Sequence, residues 1–127
     1  MIFGIGTDIV KVSRMAENLD KYGSRFAKRI LSESEYQAFL DKVKPEIFLA
    51  KRFAAKEAAV KALGTGFRYG ISMHHIFVES DELGKPNLQF VDAAKKFIEE
   101  NNITQSHLSI SDEQEYAIAY VILEKTS

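Results

Sequence analysis

Two carboxylates of this chain stand in surroundings that do not suit them. Asp8 falls inside Ile2 to Val10 (IFGIGTDIV), a β-branched, glycine-punctuated run in which aspartate has poor strand propensity. Glu57 falls inside the alanine-rich run from Pro45 to Leu63. On a helical wheel of that run, Leu49, Phe53 and Val60 share one stripe, and Glu57 lies beside it with Lys61 one turn further on. A carboxylate against an apolar stripe is costly unless its charge is compensated. An i,i+4 surface pair with Lys61 would compensate Glu57, and a turn or N-cap position would explain Asp8. The other reading takes them together: two carboxylates on separate elements can share one hard cation, and Mg²⁺ typically takes one or two carboxylates plus waters and substrate phosphates.

The company of Glu57 favours an anionic ligand. Lys51, Arg52, Lys56 and Lys61 are four positive residues against one negative between positions 51 and 61, a frame for phosphate or a solvated helix face. Gly64-Thr65-Gly66 follows the helix instead of preceding one, so it is a C-terminal stop before it is a phosphate loop, although its N–H groups could approach a phosphate. Between positions 11 and 30, six basic residues (Lys11, Arg14, Lys21, Arg25, Lys28, Arg29) face two acidic ones. In a chain of net charge −1 this is a local basic surface suited to an acidic protein partner, or a patterned solvent face. His74 and His75 are adjacent and cannot make an H-x-x-x-H zinc face. Alternation in His107-Leu108-Ser109-Ile110-Ser111 puts His107, Ser109 and Ser111 on one face, a polar row that fits a ligand groove or an open sheet face.

The elements that must position these groups follow from local signals. Ile2 to Val10 is a strand, and Ser13 to about Tyr22 a helix capped by Ser13 and stopped by Gly23. Ser24 to Ile30 is a further short helical stretch. Ser32 and Glu35 make a capping-box pattern that opens a helix to about Lys42. Pro45 to Leu63 is the clearest helix, about 28 Å long at 1.5 Å per residue, with Gly64 as its stop. Ile76 to Glu79 and Leu88 to Phe90 form a hairpin across the turn Asp81 to Asn87. Asp92 to Glu100 is helical, and His107 to Ser111 with Tyr116 to Glu124 forms a last hairpin. The sum is an α+β fold of one domain, residues 1–127, with helices and antiparallel strands segregated.

Composition narrows the function classes. With 17 basic and 18 acidic residues there is no global field for nucleic acid. The absence of cysteine excludes disulfides, thiolate zinc sites and a cysteine nucleophile. The longest apolar stretch, Tyr116 to Leu123, is far short of the ~20 residues of a membrane helix, and the start has no secretory pattern; a soluble cytoplasmic protein is expected.

These pieces, in this order, resemble the holo-acyl-carrier-protein synthase family, the small trimeric 4'-phosphopantetheinyl transferases. The motifs are Gly4-Ile5-Gly6-Thr7-Asp8-Ile9-Val10, Arg52-Phe53-Ala54-Ala55-Lys56-Glu57-Ala58 with Lys61-Ala62-Leu63-Gly64-Thr65-Gly66, then Gly84-Lys85-Pro86, and His107 to Ser111 with Tyr116-Ala117 behind it. The resemblance implies an antiparallel sheet packed against a long central helix. It implies Mg²⁺-dependent transfer of the phosphopantetheine arm of coenzyme A to a serine of an acyl carrier protein. Asp8 and Glu57 are the implied Mg²⁺ ligands. Arg52, Lys61, Gly64, Thr65, Gly66, His107 and Ser109 are implied to border coenzyme A, and Arg14, Arg25 and Arg29 to face the carrier. Glu57, a metal-bound water and His107 all stand as the base. The resemblance further implies a homotrimer with active sites between subunits. Asp112, where relatives often have histidine, weakens a second imidazole's role, and Ser72 to Ile76 departs from a common tryptophan–aspartate pattern. The rival from another class is a non-catalytic module holding an acidic partner on the basic N-terminal patch.

Overall fold

In the computed structural model, which describes residues 1–126, β1 (Ile2–Lys11) is followed by α1 (Val12–Tyr22), α2 (Ser24–Ile30), α3 (Glu33–Leu40) and α4 (Pro45–Leu63). A 3-10 turn at Met73–His75 then leads into β2 (Ile76–Ser80) and β3 (Pro86–Phe90), and α5 (Asp92–Glu100), β4 (Ile103–Asp112) and β5 (Tyr116–Lys125) complete the order. One antiparallel sheet has strand order β1-β5-β4, and β2 and β3 pair by themselves. The long helix α4 lies across β1 and β5, with α1, α2 and α3 against its other side. This is the expected α+β arrangement of an antiparallel sheet on a long central helix.

The ends of α4 are set locally. Pro45 occupies the first turn, where its missing N–H costs nothing, and Gly64 closes the helix in the left-handed region at φ 79°. Its middle is set by packing. Ala50, Ala54, Ala55, Ala58, Ala59 and Ala62 are all buried together with Leu49 and Val60, so the helix is enclosed on most of its circumference and not along one stripe. Alanine suits such a position because it lets backbones approach without a side chain between them. Gly4 and Gly6, on the side of β1 that meets α4, complete the close approach.

Three local expectations are corrected. Ser13 does not cap α1; Lys11 is the N-cap residue and offers no side-chain bond, because β1 runs straight into the helix and the N–H of Val12 donates to Glu115 O at 2.8 Å. The capping box of Ser32 and Glu35 forms, but α3 ends at Leu40, two residues early. β4 starts at Ile103, because pairing with β5 as far as Lys125 recruits polar residues that local propensity leaves out. Among the described residues no helix is long and apolar enough to cross a membrane.

Candidate active site

Asp8 sits in the middle of β1, opposite Ala119 of β5, and not at a turn. Alternation puts Gly6, Asp8 and Val10 on the side that faces α4. From α4, Phe53, Glu57 and Lys61 follow each other at i,i+4 spacing and line the same cleft as Asp8. Lys61 does not form a surface pair with Glu57. Its Nζ reaches across to donate to Asp8 Oδ1 at 3.0 Å and to Thr7 O at 2.9 Å. Burial, and next the charge of Asp8, hold the Glu57 carboxyl above the ordinary carboxylate range, while Lys61 opposes the shift. The cleft, about 500 Å³, is completed by Arg14, Met15 and Asn18 of α1 and Phe26 of α2.

A half-buried carboxyl whose proton affinity is raised by burial and by a second carboxylate across the cleft is a poor arrangement for a bare protein and a suitable one for a cation. Among the described residues no group of three or more His, Asp or Glu side chains converges, which disfavours an all-protein metal cage. A pair of carboxylates open to a cleft matches Mg²⁺, which keeps waters and takes phosphate oxygens for its other positions. A stability prediction follows. A carboxyl whose folded pKa is raised binds more protons folded than unfolded, so its stabilising contribution is present below the ordinary value of 4.5 and is lost as pH rises through the raised value. Glu57→Gln is therefore expected to raise the thermal midpoint at neutral pH without divalent cation, with the gain vanishing in acid. Thermal scans at several pH values in EDTA check this; a lower midpoint at neutral pH would contradict it.

The basic frame inferred on α4 does not form as one surface. Lys51 pairs with Asp112 at 3.5 Å. Arg52 and Lys56, at i,i+4, turn to the other side of the helix, where Lys56 Nζ lies 2.6 Å and Arg52 Nε 3.6 Å from the buried carboxylate of Glu35. Arg52 also stacks its guanidinium on Phe48, 4.6 Å from the ring centre. Burial lowers the pKa of Lys56, and Glu35 opposes that shift by charge and hydrogen bonding. Only Lys61 of the four joins the Asp8–Glu57 cleft, because Arg52 and Lys56 are rotated away by helix geometry.

Gly64 and Gly66 both have positive φ, and the N–H groups of Gly64, Thr65 and Gly66 all point back to Val60 O. They act as a helix stop, and Thr65 is buried with its hydroxyl on Gly66 O at 2.7 Å. His107 and Ser109 lie on the other face of the sheet from Asp8. They line a second groove of about 210 Å³ with Lys85, Pro86, Asn87 and Tyr120, so the Gly84-Lys85-Pro86 segment meets the histidine strand. His107 Nε2 is bonded to Glu124 Oε1. On that face Ile5, Ile9, Ile118 and Tyr120 are exposed. Arg25 and Arg29 of α2 border a hollow with Tyr22 and Phe26, and Phe26 also lines the Asp8–Glu57 cleft; Arg14 lies in that cleft itself. Sequence reasoning missed Asn18, Phe26 and Tyr120. Asn18 was accessible as the residue one turn after Arg14, and Tyr120 as the alternation partner of Ile118 and Ile122.

Comparison with known proteins places this geometry in context. The family model described as the 4'-phosphopantetheinyl transferase superfamily matches residues 4–121. A holo-[acyl-carrier-protein] synthase of Nitrosospira multiformis is 51% identical over 125 residues, 98% of this chain and 100% of that protein. The crystal structure of a holo-[acyl-carrier-protein] synthase from Neisseria meningitidis superposes with a TM-score of 0.93 at 46% identity, covering 98% of this chain and 100% of that one. The synthase of Bacillus anthracis, solved in complex with CoA (3',5'-ADP), gives 0.82 at 39% identity with 99% of both chains covered.

Proposed function

The chain belongs to the 4'-phosphopantetheinyl transferase superfamily, and we propose that it transfers the 4'-phosphopantetheine arm of coenzyme A to a serine of an apo acyl carrier protein, releasing adenosine 3',5'-bisphosphate in a Mg²⁺-dependent reaction. The observation that carries this reading is the convergence of Asp8, Glu57 and Lys61 in one cleft that Arg14 also enters. Asp8 and Glu57 would hold Mg²⁺, which when bound neutralises charge on the pyrophosphate and on the transferring phosphoryl.

The chain's own groups do the rest. Lys61, already anchored on Asp8, holds a positive charge beside the phosphates. The serine oxygen attacks the phosphorus that bears the pantetheine arm, a P–O bond forms, and the P–O bond to the adenosine bisphosphate breaks with that group leaving. Glu57, or a water on the cation that it would hold, is the group of this cleft placed to take the serine proton. His107 lies on the opposite face of the same sheet, so it reaches a site only as a contribution from another copy.

The proposed assembly is the homotrimer. An open face bearing Ile5, Ile9, Ile118 and Tyr120 is an apolar patch that a neighbouring copy would cover, and in that assembly one chain's His107–Ser109 groove would meet another's Asp8–Glu57 cleft. Coenzyme A then spans the two. Refolding Asp8→Asn together with His107→Ala is expected to restore turnover above that of either variant alone, because one interface of a mixed trimer receives both native groups. No restoration would place the whole site in one chain.

Arg14, Arg25 and Arg29 supply the docking surface for the acidic carrier. Reversing Arg25 and Arg29 to glutamate is expected to raise KM for the carrier about tenfold or more, within the range of electrostatic steering, and to flatten its salt dependence. Unchanged carrier KM and salt slope would remove this role. The reaction itself is tested by chromatography of adenosine 3',5'-bisphosphate after incubation with coenzyme A, apo carrier and Mg²⁺. Release that requires the carrier supports transfer; release without it indicates hydrolysis.

A further inference from the structure

The most deeply buried ionic group of the molecule lies outside the cleft. Lys56 has no exposed surface, and its ammonium uses all three donors on the protein: Glu35 Oε1 at 2.6 Å, Ile30 O at 2.7 Å and Met73 O at 2.9 Å. Glu35 is equally committed. Its Oε1 accepts the N–H of Ser32 at 2.9 Å, closing the capping box of α3, and its Oε2 accepts the N–H of Val78 in β2 at 2.9 Å. One ion pair thus ties α2, α3, α4, the 3-10 turn and β2.

An ion pair this dry is weak as a source of stability, since apolar replacements of similar volume are often neutral or better. Its geometry is informative. Ile30 is the last residue of α2, and a lysine on the final carbonyl of a helix satisfies an orphan acceptor and meets the negative end of the dipole. The next residue after Lys56 is Glu57, which points into the cleft on another side of α4. Two consecutive residues of one helix therefore carry the group that grips α2 and the group that lines the reaction cleft. Phe26, in the middle of α2, lines both that cleft and the hollow bordered by Arg25 and Arg29.

We infer that the Glu35–Lys56 pair is a positioning device, which fixes the end of α2, and with it Arg25, Phe26 and Arg29, at a set distance from Glu57. A helix of seven residues has no stability of its own, so its place is dictated by what grips it. The inference rests on the reading of Arg25 and Arg29 as the carrier's docking surface. The pair touches neither substrate; it acts through α2.

The test uses the full chain with coenzyme A, apo acyl carrier protein and Mg²⁺. Glu35→Gln alone leaves Lys56 buried without a counter-charge and is expected to lower the thermal midpoint. Glu35→Gln combined with Lys56→Met removes both charges of the pair, leaves Arg52 Nε without the carboxylate 3.6 Å away, and is expected to recover part of that loss. In the double variant KM for the carrier is expected to rise about tenfold, below the hundredfold that a 1 Å misplacement can cost, while kcat and KM for coenzyme A stay within about twofold. Its salt dependence is expected to match the parent, because the arginines remain. A stable double variant with the parent's carrier KM overturns the inference, and so does a fall in kcat with carrier KM unchanged. Absence of transfer by the parent chain would instead overturn the functional reading. Hydrogen exchange on the parent protein gives a check that no variant's folding can spoil. The α2 amides are expected to open together with those of α4, and exchange as fast as that of a free peptide would overturn the clamp.

Discussion

Glu57→Gln is expected to reduce phosphopantetheine transfer by about 10³-fold or more, with the folded protein intact. Removing one group that stabilises transition-state charge costs about 10²–10³ in rate, and this substitution removes a proposed metal-holding charge together with the proposed proton acceptor. The change is nearly isosteric, and α4 keeps its buried alanines against β1 and β5. The loss is therefore chemical, as the expected gain in thermal midpoint at neutral pH would demonstrate independently. Asp8→Asn should produce a loss of similar size, and the double variant little more, because groups that act as a unit are not additive. Steady-state rates at saturating coenzyme A, compared with a parent sample in EDTA, check the prediction. A Glu57→Gln protein within tenfold of the parent would exclude Glu57 from the chemistry.

Gly6→Ala is expected to destabilise the fold by at least about 3 kcal/mol, the upper end of the cost of overpacking. A Cβ at Gly6 would stand 1.9 Å from Ala58 O and 2.7 Å from Ala62 N, and one at Gly4 would stand 1.9 Å from Ala62 O. These neighbours are helix backbone, not flexible side-chain ends, so the strand or the helix must shift as a body. That shift moves Asp8, two residues along β1, away from Glu57 and Lys61. The thermal midpoint should fall by about 10 °C or more, with transfer lost to a comparable degree in Gly4→Ala. A Gly6→Ala protein with the parent's midpoint would show that β1 and α4 do not approach this closely.

Much of the architecture was legible because its signals are local. Pro45 and Gly64 bound α4, Ser32 with Glu35 opens α3, and α5 runs from Asp92 to Glu100 as expected. The misplaced pairings are tertiary. Lys56 and Glu57 are consecutive, and grouping by position made Lys56 part of the frame around Glu57; the helix turns them apart, one to Glu35 and one to the cleft. Glu35 was visible only as a cap, because nothing near it in sequence signals that Val78 and Lys56 will arrive at its carboxylate. Asp8 was legible for the opposite reason. An aspartate within a strand is locally unfavourable, and such a mismatch points to a compensating partner, here Lys61 from 53 residues away. The strand alternation that put His107 and Ser109 on one face also held, and it separates them from Asp8 within a single chain.

The most direct measurement is the intact mass of an apo acyl carrier protein after incubation with this protein, coenzyme A and Mg²⁺. The account predicts a carrier heavier by one phosphopantetheine, with the increase abolished by EDTA and nearly abolished in Glu57→Gln. An unchanged carrier mass, tried with several different apo carriers and a folded enzyme, would contradict it.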